Sequence, residues 1–297
     1  MTHSPRERPL CADPRQRLHE VHVEAATLRR RLPARWRFGT VGWMSPAYVG
    51  EVWPEPRTHA DLARDGLVQY AAHPLLGAVL WELGEDSADL DRDLQQVAAS
   101  LPPSLQLVVR APLAFTTPRF TDEGTRAGAG RANPRFLDAR VLGRDVLGPL
   151  ASALGAQLAV VVLAFPAALH LAGIEPPAFA ERLAGFLTAL GTHVTLAVSV
   201  NEPAYLTLEL ARTLALQPAS PVLVAGPGMP PLEAQAALVP SGPLVVVRAR
   251  ASQATAVASF VARAPELPTY VLVEDDGGAS APGAIFAIAR ELASREE

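Results

Sequence analysis

The sequence contains no lysine, because all 26 of its Lys and Arg residues are arginine. Schiff-base enzymes, pyridoxal-phosphate enzymes, and kinases or P-loop proteins that grip phosphate with lysine all need a primary amine. The sequence therefore excludes these classes. Cysteine is limited to Cys11, so neither an intrachain disulfide nor a cysteine-based structural zinc site can form. This composition favours a reducing cytoplasm.

A secretion signal and a membrane span are both disfavoured. Residues 1–10 contain Arg6 and Arg8 where a signal peptide has an apolar stretch. The longest apolar run, residues 158–169, is interrupted by Pro166 and begins with the valine-rich pattern of a buried strand. We therefore expect a cytoplasmic protein with no membrane association.

Short apolar runs alternate with Ala- and Leu-rich segments of helical length from residue 35 onward. Eight runs predict strands, at residues 36–43, 76–82, 105–111, 158–165, 194–200, 221–225, 244–250 and 270–274. Near-continuous apolar strands are typical of a parallel sheet covered by helices. The pattern predicts an α/β fold, a TIM-type (β/α)8 barrel, with a doubly wound open sheet as the alternative.

The chain divides into two predicted parts. Residues 1–34 are expected to form a tail and an amphipathic helix, and residues 35–297 a single TIM-type barrel domain with a long loop at 113–135. Loops of that length are often lids or poorly ordered insertions. The loop contains several arginines, so it is either an arginine lid that closes on an anion or an unstructured insertion.

The extra N-terminal helix has a clear start and an apolar stripe. Asp13 is the expected N-cap, Pro14 the first helical residue and Gln16 the capping-box partner. Apolar residues then recur at spacings of three and four, at Leu18, Val21, Ala25, Leu28 and Leu32. This stripe either closes the bottom of the barrel or binds another protein or a second copy of the chain.

Charge is unevenly distributed along the sequence. Residues 1–37 have a balance of +5 and residues 110–144 a balance of +4, in a chain of net charge −4. These segments either bind an anionic partner or neutralise the acidic remainder, and we favour the second interpretation. A pI of about 6.0 is not typical of a nucleic-acid-binding protein, so a nucleic-acid partner is disfavoured.

A specific motif marks the first predicted strand and the turn after it. It consists of Phe38, Gly39, Thr40, Val41, Gly42 and Trp43, followed by Tyr48, Gly50, Val52, Trp53 and Pro54. This motif resembles the opening of the YecE-like proteins, domain-of-unknown-function family 72. Further matches keep the family's order at residues 69–71, 105–112, 158–166 and 244–250. The resemblance spans about residues 36–276 and implies a TIM-type barrel, in a divergent member.

The departures from the family concern its polar positions. The third-strand lysine of the family falls on Arg110, the glutamine before the fourth-strand proline on Ala164, and a seventh-strand histidine on Arg250. Arg248 matches the family's seventh-strand arginine, while the polar run after the second strand has no counterpart in residues 77–86. The resemblance therefore implies the fold and no particular reaction.

Candidate ligand-binding residues lie where the predicted strands end, because sites in such barrels sit at the C-terminal face. Arg110, Arg248 and Arg250 form a candidate clamp, since a guanidinium offers a rigid fork of donors to phosphate or carboxylate. Glu82 and Glu274 are weak candidates for catalytic acid or base. The alternative is that Arg110 or Arg248 pairs with Glu82 or Glu274 inside the barrel.

Other side chains near these ends complete the candidate site. Trp43 or Tyr48 could supply a stacking wall, Thr117 could bind ligand, and His170 is the histidine expected nearest this face. Glu274, Asp275 and Asp276 could hold Mg²⁺, but a solvated acidic loop is the favoured interpretation, and we expect no metal and no cofactor.

Two functions follow from these patterns. The first is a non-catalytic partner-binding or scaffold protein, which is favoured because most polar site positions of the family are lost. The alternative is a barrel enzyme or binding protein for a phosphate- or carboxylate-bearing small molecule that uses the arginine clamp.

Overall fold

The computed structural model describes residues 13–84, 90–120, 130–167, 172–191, 194–217, 219–240 and 242–295. Eight parallel strands pair in chain order, and the last pairs with the first, which closes a barrel. The strands are β1 (Trp36–Val41), β2 (Leu76–Glu82), β3 (Gln106–Arg110), β4 (Leu158–Phe165), β5 (Leu196–Val200), β6 (Ala219–Ala225), β7 (Val245–Arg250) and β8 (Thr269–Glu274). The predicted TIM-type barrel is confirmed, and the open-sheet alternative is wrong because β1 pairs with both β2 and β8.

Helices surround the barrel. They are α1 (Pro14–Arg31), α2 (His59–Asp61), α3 (Leu67–Ala71), α4 (Leu90–Ser100), α5 (Ala139–Leu142), α6 (Gly148–Leu154), α7 (Pro176–Leu190), α8 (Leu208–Ala215), α9 (Leu232–Leu238), α10 (Ala254–Val261) and α11 (Ala281–Arg295). Two π-helical turns, Leu62–Gly66 and Gly143–Leu147, connect α2 to α3 and α5 to α6. None of the described helices combines the length and apolar character needed to cross a bilayer.

Strand side chains alternate between two apolar layers. In β2, Ala78 and Leu80 belong to the cluster inside the barrel, whereas Val79 belongs to the layer between strands and helices. The same alternation places Val108 of β3 and Val246 of β7 inside. Because successive strand residues face opposite sides, the inside of the barrel can be followed along each strand to its polar ends.

β1 and β2 approach each other closely at Gly39. The pairing register shifts between Phe38 and Gly39, and a Cβ added at Gly39 would lie 2.0 Å from the Ala78 carbonyl oxygen. The buried Tyr70 hydroxyl stabilises this region, because it accepts a hydrogen bond from the Thr40 N–H at 2.8 Å and donates one to the Ala78 carbonyl at 3.0 Å. A residue with a side chain cannot replace Gly39 without moving a strand.

The strands begin and end close to the predicted bounds. The first was predicted to run to Trp43, but β1 ends at Val41 because Gly42 turns the chain with a φ of 72°. The fifth was predicted from residue 194, but β5 begins at Leu196. Both differences are at strand ends, where the backbone conformation is set by the adjoining turn rather than by burial.

The start of α1 agrees with part of its sequence pattern. The Asp13 side chain accepts a hydrogen bond from the Arg15 N–H at 3.0 Å, and Pro14 is the first helical residue. The capping box expected from Gln16 is not formed, because its side-chain amide donates instead to Glu20 at 3.3 Å.

α1 lies along the flank of the barrel rather than across its bottom. Glu24 of α1 accepts two hydrogen bonds from Arg290 of α11, at 2.6 and 2.9 Å. Further along both helices, Arg31 donates to the Ala293 carbonyl at 2.8 Å, so α1 runs beside α11 in the same direction. The interpretation that this helix closes the bottom of the barrel is therefore wrong.

The apolar stripe of α1 packs largely within its own chain. Ala25, Leu28 and Leu32 are buried, with 0%, 7% and 6% of their surface exposed. Val21 is partly buried against the same core. Most of the stripe is therefore not available to another protein.

α1 also carries one half of a histidine pair. The His22 and His73 rings lie edge to face with centroids 5.0 Å apart, and neither Nε2 atom has a hydrogen-bond partner among the described residues. Burial lowers the pKa of both imidazoles, that of His73 to about 3, and each ring lies near a second histidine that lowers its pKa further. Packing of α1 therefore favours the neutral form of both rings.

Candidate functional site at the barrel mouth

Arg110 and Glu82 come together where β3 and β2 end. They are register partners on neighbouring strands, and their side chains form an ion pair with Nη1 and Oε1 2.7 Å apart. Arg110 follows Val108 by two residues, so its side chain faces the inside of the barrel. The first predicted clamp residue is thus bound to a predicted acid or base.

A second set of charges lies on β7 and β8. Arg248 Nη2 is 2.7 Å from Glu274 Oε2, and Arg250 Nε is 3.7 Å from Glu274 Oε1. Arg250 also lies 3.5 Å from Asp276, whose carboxylate accepts a hydrogen bond from Ser252. In the ring of eight strands, β3 and β7 are four strands apart, so Arg110 and Arg248 lie on opposite sides of the mouth.

The mouth therefore carries balanced charge. Its three guanidinium groups are matched by the carboxylates of Glu82, Glu274 and Asp276. The side chains are one-fifth to one-half exposed, from 23% for Arg110 and Asp276 to 47% for Arg250. An anion that entered this clamp would have to displace carboxylates that already occupy it.

On the inner side of the strands at this end of the barrel, three buried polar atoms have no hydrogen-bond partner among the described residues. They are Arg110 Nε, Arg248 Nε and the hydroxyl oxygen of Ser199. Ser199 follows the inward-facing Ala197 by two residues, so all three residues face the inside, from the alternate strands β3, β5 and β7. These three atoms are therefore available for further hydrogen bonds at the mouth.

Trp43 and Tyr48 lie elsewhere, in the layer beneath the helices. Trp43 is 4% exposed and packs against the π-helical turn at Gly66, and Tyr48 is 2% exposed. The Tyr48 hydroxyl donates to Asp275 at 3.1 Å, and burial followed by the charge of Asp275 raises its pKa. Both rings are core residues, so neither offers the stacking face that the sequence suggested.

Asp275 is engaged in structure rather than in a metal site. Its Oδ1 accepts from Tyr48 and, at 2.7 Å, from the Ala281 N–H at the first turn of α11. Glu274 and Asp276 are bound to arginines, so all three acidic side chains, for which Mg²⁺ binding was the disfavoured alternative, contact protein donors. Within the described residues, no group of three or more His, Cys, Asp or Glu side chains could hold a metal ion.

Thr117 belongs to the described part of the long loop. Its N–H donates to Leu113 at 2.9 Å, and its carbonyl accepts from the Asn133 side chain at 2.7 Å. Asn133 also donates to the Ala114 carbonyl at 2.7 Å, so one buried amide joins the two ends of the loop. The sequence reasoning missed Asn133, although an asparagine before a proline is a turn signal.

The arginine lid falls partly outside the described residues. Residues 121–129, which include Arg126, are not described, and neither is His170. Of the remaining loop arginines, Arg119 donates to the Gly130 carbonyl at 2.7 Å across a short antiparallel stem. This side chain stabilises the loop itself.

Solved structures with the same fold include proteins of the DUF72 family. One is from Thermotoga maritima, with 16% identity and a TM-score of 0.56 over 88% of this chain and 99% of that chain. Another is from Enterococcus faecalis, with 12% identity and a TM-score of 0.55 over 86% of this chain and 95% of that chain. No protein-family model and no curated protein matches the sequence. This chain therefore has the fold of the family that its opening motif resembles.

Proposed function

We propose that this chain, with the barrel of the DUF72 proteins, is a divergent relative that binds a partner and performs no acid–base catalysis at its mouth. The observation that carries this proposal is the ion pairing of both candidate catalytic carboxylates, Glu82 with Arg110 and Glu274 with Arg248. A general acid or base must reach the substrate proton at hydrogen-bond distance. Carboxylates held by neighbouring guanidinium groups stabilise the barrel end instead.

The polar positions lost from the family support the same proposal. Ala164, at the position of the family's glutamine, is buried among apolar side chains inside the barrel. Arg110 and Arg250 stand where a lysine and a histidine are expected, and each binds an acid. The replacements provide structural pairs and no new nucleophile or proton carrier.

The partner surface that we propose excludes the centre of the α1 stripe. Ala25, Leu28 and Leu32 are buried in the core, which leaves Leu18 and Val21, both partly exposed, for contact with another protein or a second copy. A cytoplasmic location is part of the proposal and is supported by the single cysteine of the chain.

A second candidate is a binding site for a small phosphate- or carboxylate-bearing molecule at the mouth. The observation that favours it is the trio of unpartnered atoms on Arg110, Ser199 and Arg248. Such a ligand would have to replace Glu82 or Glu274 as partner of an arginine.

A thermal-shift screen separates the two candidates, since a ligand that binds only the folded state raises the unfolding midpoint. The screen uses phosphate, sugar phosphates and small dicarboxylates with the wild type and with Arg110→Ala and Arg248→Ala. We expect no midpoint rise that depends on Arg110 or Arg248. A rise that persists at high salt and is lost in both variants would overturn the scaffold proposal and establish the arginine clamp.

A further inference from the structure

Arginines are also concentrated at the opposite end of the barrel, where the strands begin. Arg29, Arg30 and Arg31 end α1, and Arg35 and Arg37 flank the first residue of β1. The turns at this end precede the strands and are far from the mouth in any parallel barrel. We refer to Arg29, Arg30, Arg35 and Arg37 as the basal arginine cluster.

Arg37 points into the base of the barrel. It alternates with the inward-facing Val41, and its register partner on β8 is Tyr270, which belongs to the inner cluster. On the β2 side, its Nη1 lies 3.6 Å from where a Cβ of Gly77 would be, so the absence of a side chain there leaves room for the guanidinium. The Tyr270 hydroxyl donates to the Gln106 side chain at 2.6 Å. This hydrogen-bonded pair is polar and uncharged, and it lies next to Arg37.

Arg37 has no hydrogen bond or ion pair to any described residue, in contrast to the arginines of the mouth. In the described turns that precede the strands, Glu266 is the only carboxylate. It lies 4.0 Å from Arg35 and its side chain is 89% exposed, so it neutralises little of the cluster. The Arg37 side chain is partly exposed and has no counter-charge among the described residues, so an external anion can reach and pair with it.

Arg29 adds a fixed positive charge beside Arg37. Its guanidinium donates to the carbonyls of Trp36 at 2.9 Å, Leu32 at 3.1 Å and Pro33 at 2.6 Å, which closes the C-terminal end of α1. Burial lowers the pKa of Arg29, and the nearby charge of Arg37 lowers it further. Burial raises the pKa of Tyr270, and Arg37 opposes that rise. The positive charge of Arg37 therefore acts on both Arg29 and Tyr270.

We propose that the basal arginine cluster binds a small oxyanion with two or more negative charges, with Arg37 as its central ligand and Arg35 as a second. Guanidinium groups present paired N–H donors that match the oxygens of phosphate and carboxylate groups. Arg37 is recessed inside the ring of strands, whereas Arg30 is exposed on α1. An extended polyanion would contact the exposed rim, so the recessed position favours a small ligand.

This proposal is independent of the function proposed for the mouth. The two ends carry different arginines, and the mouth arginines are already matched by acids. Loss of binding in an Arg37 variant and loss of binding in an Arg110 variant would therefore identify different sites.

Isothermal titration with pyrophosphate at low and physiological salt tests the proposal on the full chain. We expect wild type to bind, Arg37→Gln to weaken affinity at least about tenfold, and Arg35→Gln to weaken it by a smaller factor. Arg182→Gln removes the same charge from an exposed position of α7 and should leave affinity within about twofold. Ligand at ten times its Kd should raise the wild-type unfolding midpoint by about 2 °C.

The same titration is made with tricarballylate. The proposal is overturned if neither pyrophosphate nor tricarballylate binds, if wild type and Arg37→Gln bind equally, or if the Arg182→Gln control loses as much affinity as Arg37→Gln. Preference for pyrophosphate or for tricarballylate identifies a phosphate or a carboxylate ligand and supports the site in either case. If Arg37→Gln fails to fold, the comparison of Arg35→Gln with Arg182→Gln decides. Tighter binding of a single-stranded oligonucleotide, unaffected by Arg37→Gln, would replace the small ligand with an extended one.

Discussion

Arg110 on β3 and Glu82 on β2 are register partners whose side chains meet 2.7 Å apart inside the mouth of the barrel. A second ion pair joins β7 and β8, where Arg248 meets Glu274 at 2.7 Å, although the register partner of Glu274 is Arg250. Two residue types that sequence reasoning assigned to catalysis and to anion binding thus satisfy one another. We propose that these pairs stabilise the barrel end, whereas Arg37 at the other end has no ion pair with any described residue.

Substitution of Gly39 by alanine should prevent normal folding or destabilise the protein by more than about 3 kcal/mol, because the new Cβ would overlap the Ala78 carbonyl. Gly185→Ala in α7 is the matched control, since a Cβ there meets nothing within 4 Å. It should stabilise the protein by about 0.5–1 kcal/mol. Urea unfolding of both variants measures the difference, and a Gly39→Ala protein as stable as wild type would disprove the close approach of β1 and β2.

Truncation of the α1 stripe should weaken the whole fold. Leu28→Ala should lower the free energy of unfolding by about 2–4 kcal/mol, because Leu28 is buried in the main core. Val23, on the same helix but 57% exposed, provides the control, and Val23→Ala should change stability by less than about 0.5 kcal/mol. Deletion of residues 1–34 should destabilise the barrel. An unchanged unfolding midpoint after that deletion would mean that α1 does not pack on α11.

The His22–His73 pair should make stability depend on pH. The pKa of His73 is about 3 in the folded protein and near 6.5 when unfolded, so the neutral form is stabilised by folding. This stability is fully present above pH 6.5 and is lost as the pH falls towards 3, because the unfolded chain binds the proton first. At pH 4.5 the loss from His73 should be roughly 2–3 kcal/mol.

Unfolding of wild type and His73→Gln between pH 4.5 and 7.5 measures this contribution. Glu20, Glu24 and Glu51 line the same groove, so the difference in slope between the proteins, rather than either slope alone, isolates the histidine. The variant should lose less stability on acidification, whereas His59→Gln, exposed in α2, should follow wild type. Parallel slopes for wild type and His73→Gln would show that His73 is not buried as a neutral ring.

The fold could be predicted from the sequence because each strand is buried on both faces. A run such as residues 158–165 is apolar throughout, and this pattern alone marks a parallel strand under helices. The inward and outward directions of Trp43 and Tyr48 could not be predicted, since both follow β1 in a loop whose path depends on tertiary contacts. Their burial depends on the π-helical turn at Gly66 and on Asp275, which are distant in sequence.

The candidate site could be located but its chemistry could not. The sequence placed Arg110, Arg248, Glu82 and Glu274 at strand ends and left ion pairing and anion binding as alternatives. Which side chains meet depends on strand register, which a single sequence does not specify. Arg37 was counted only as part of a basic segment. Its isolation became visible once β1, β8 and the turns around it were placed together.

A double-mutant cycle on Glu82 and Arg110 tests whether the candidate acid and the candidate clamp residue are bound to each other. The cycle compares the urea unfolding of wild type, Glu82→Gln, Arg110→Gln and the double variant. Since both side chains are partly exposed, we expect a coupling energy of about 0.5–1 kcal/mol in favour of the pair. A coupling energy of zero would show that the two side chains do not stabilise each other. Both residues would then be free to act on a ligand.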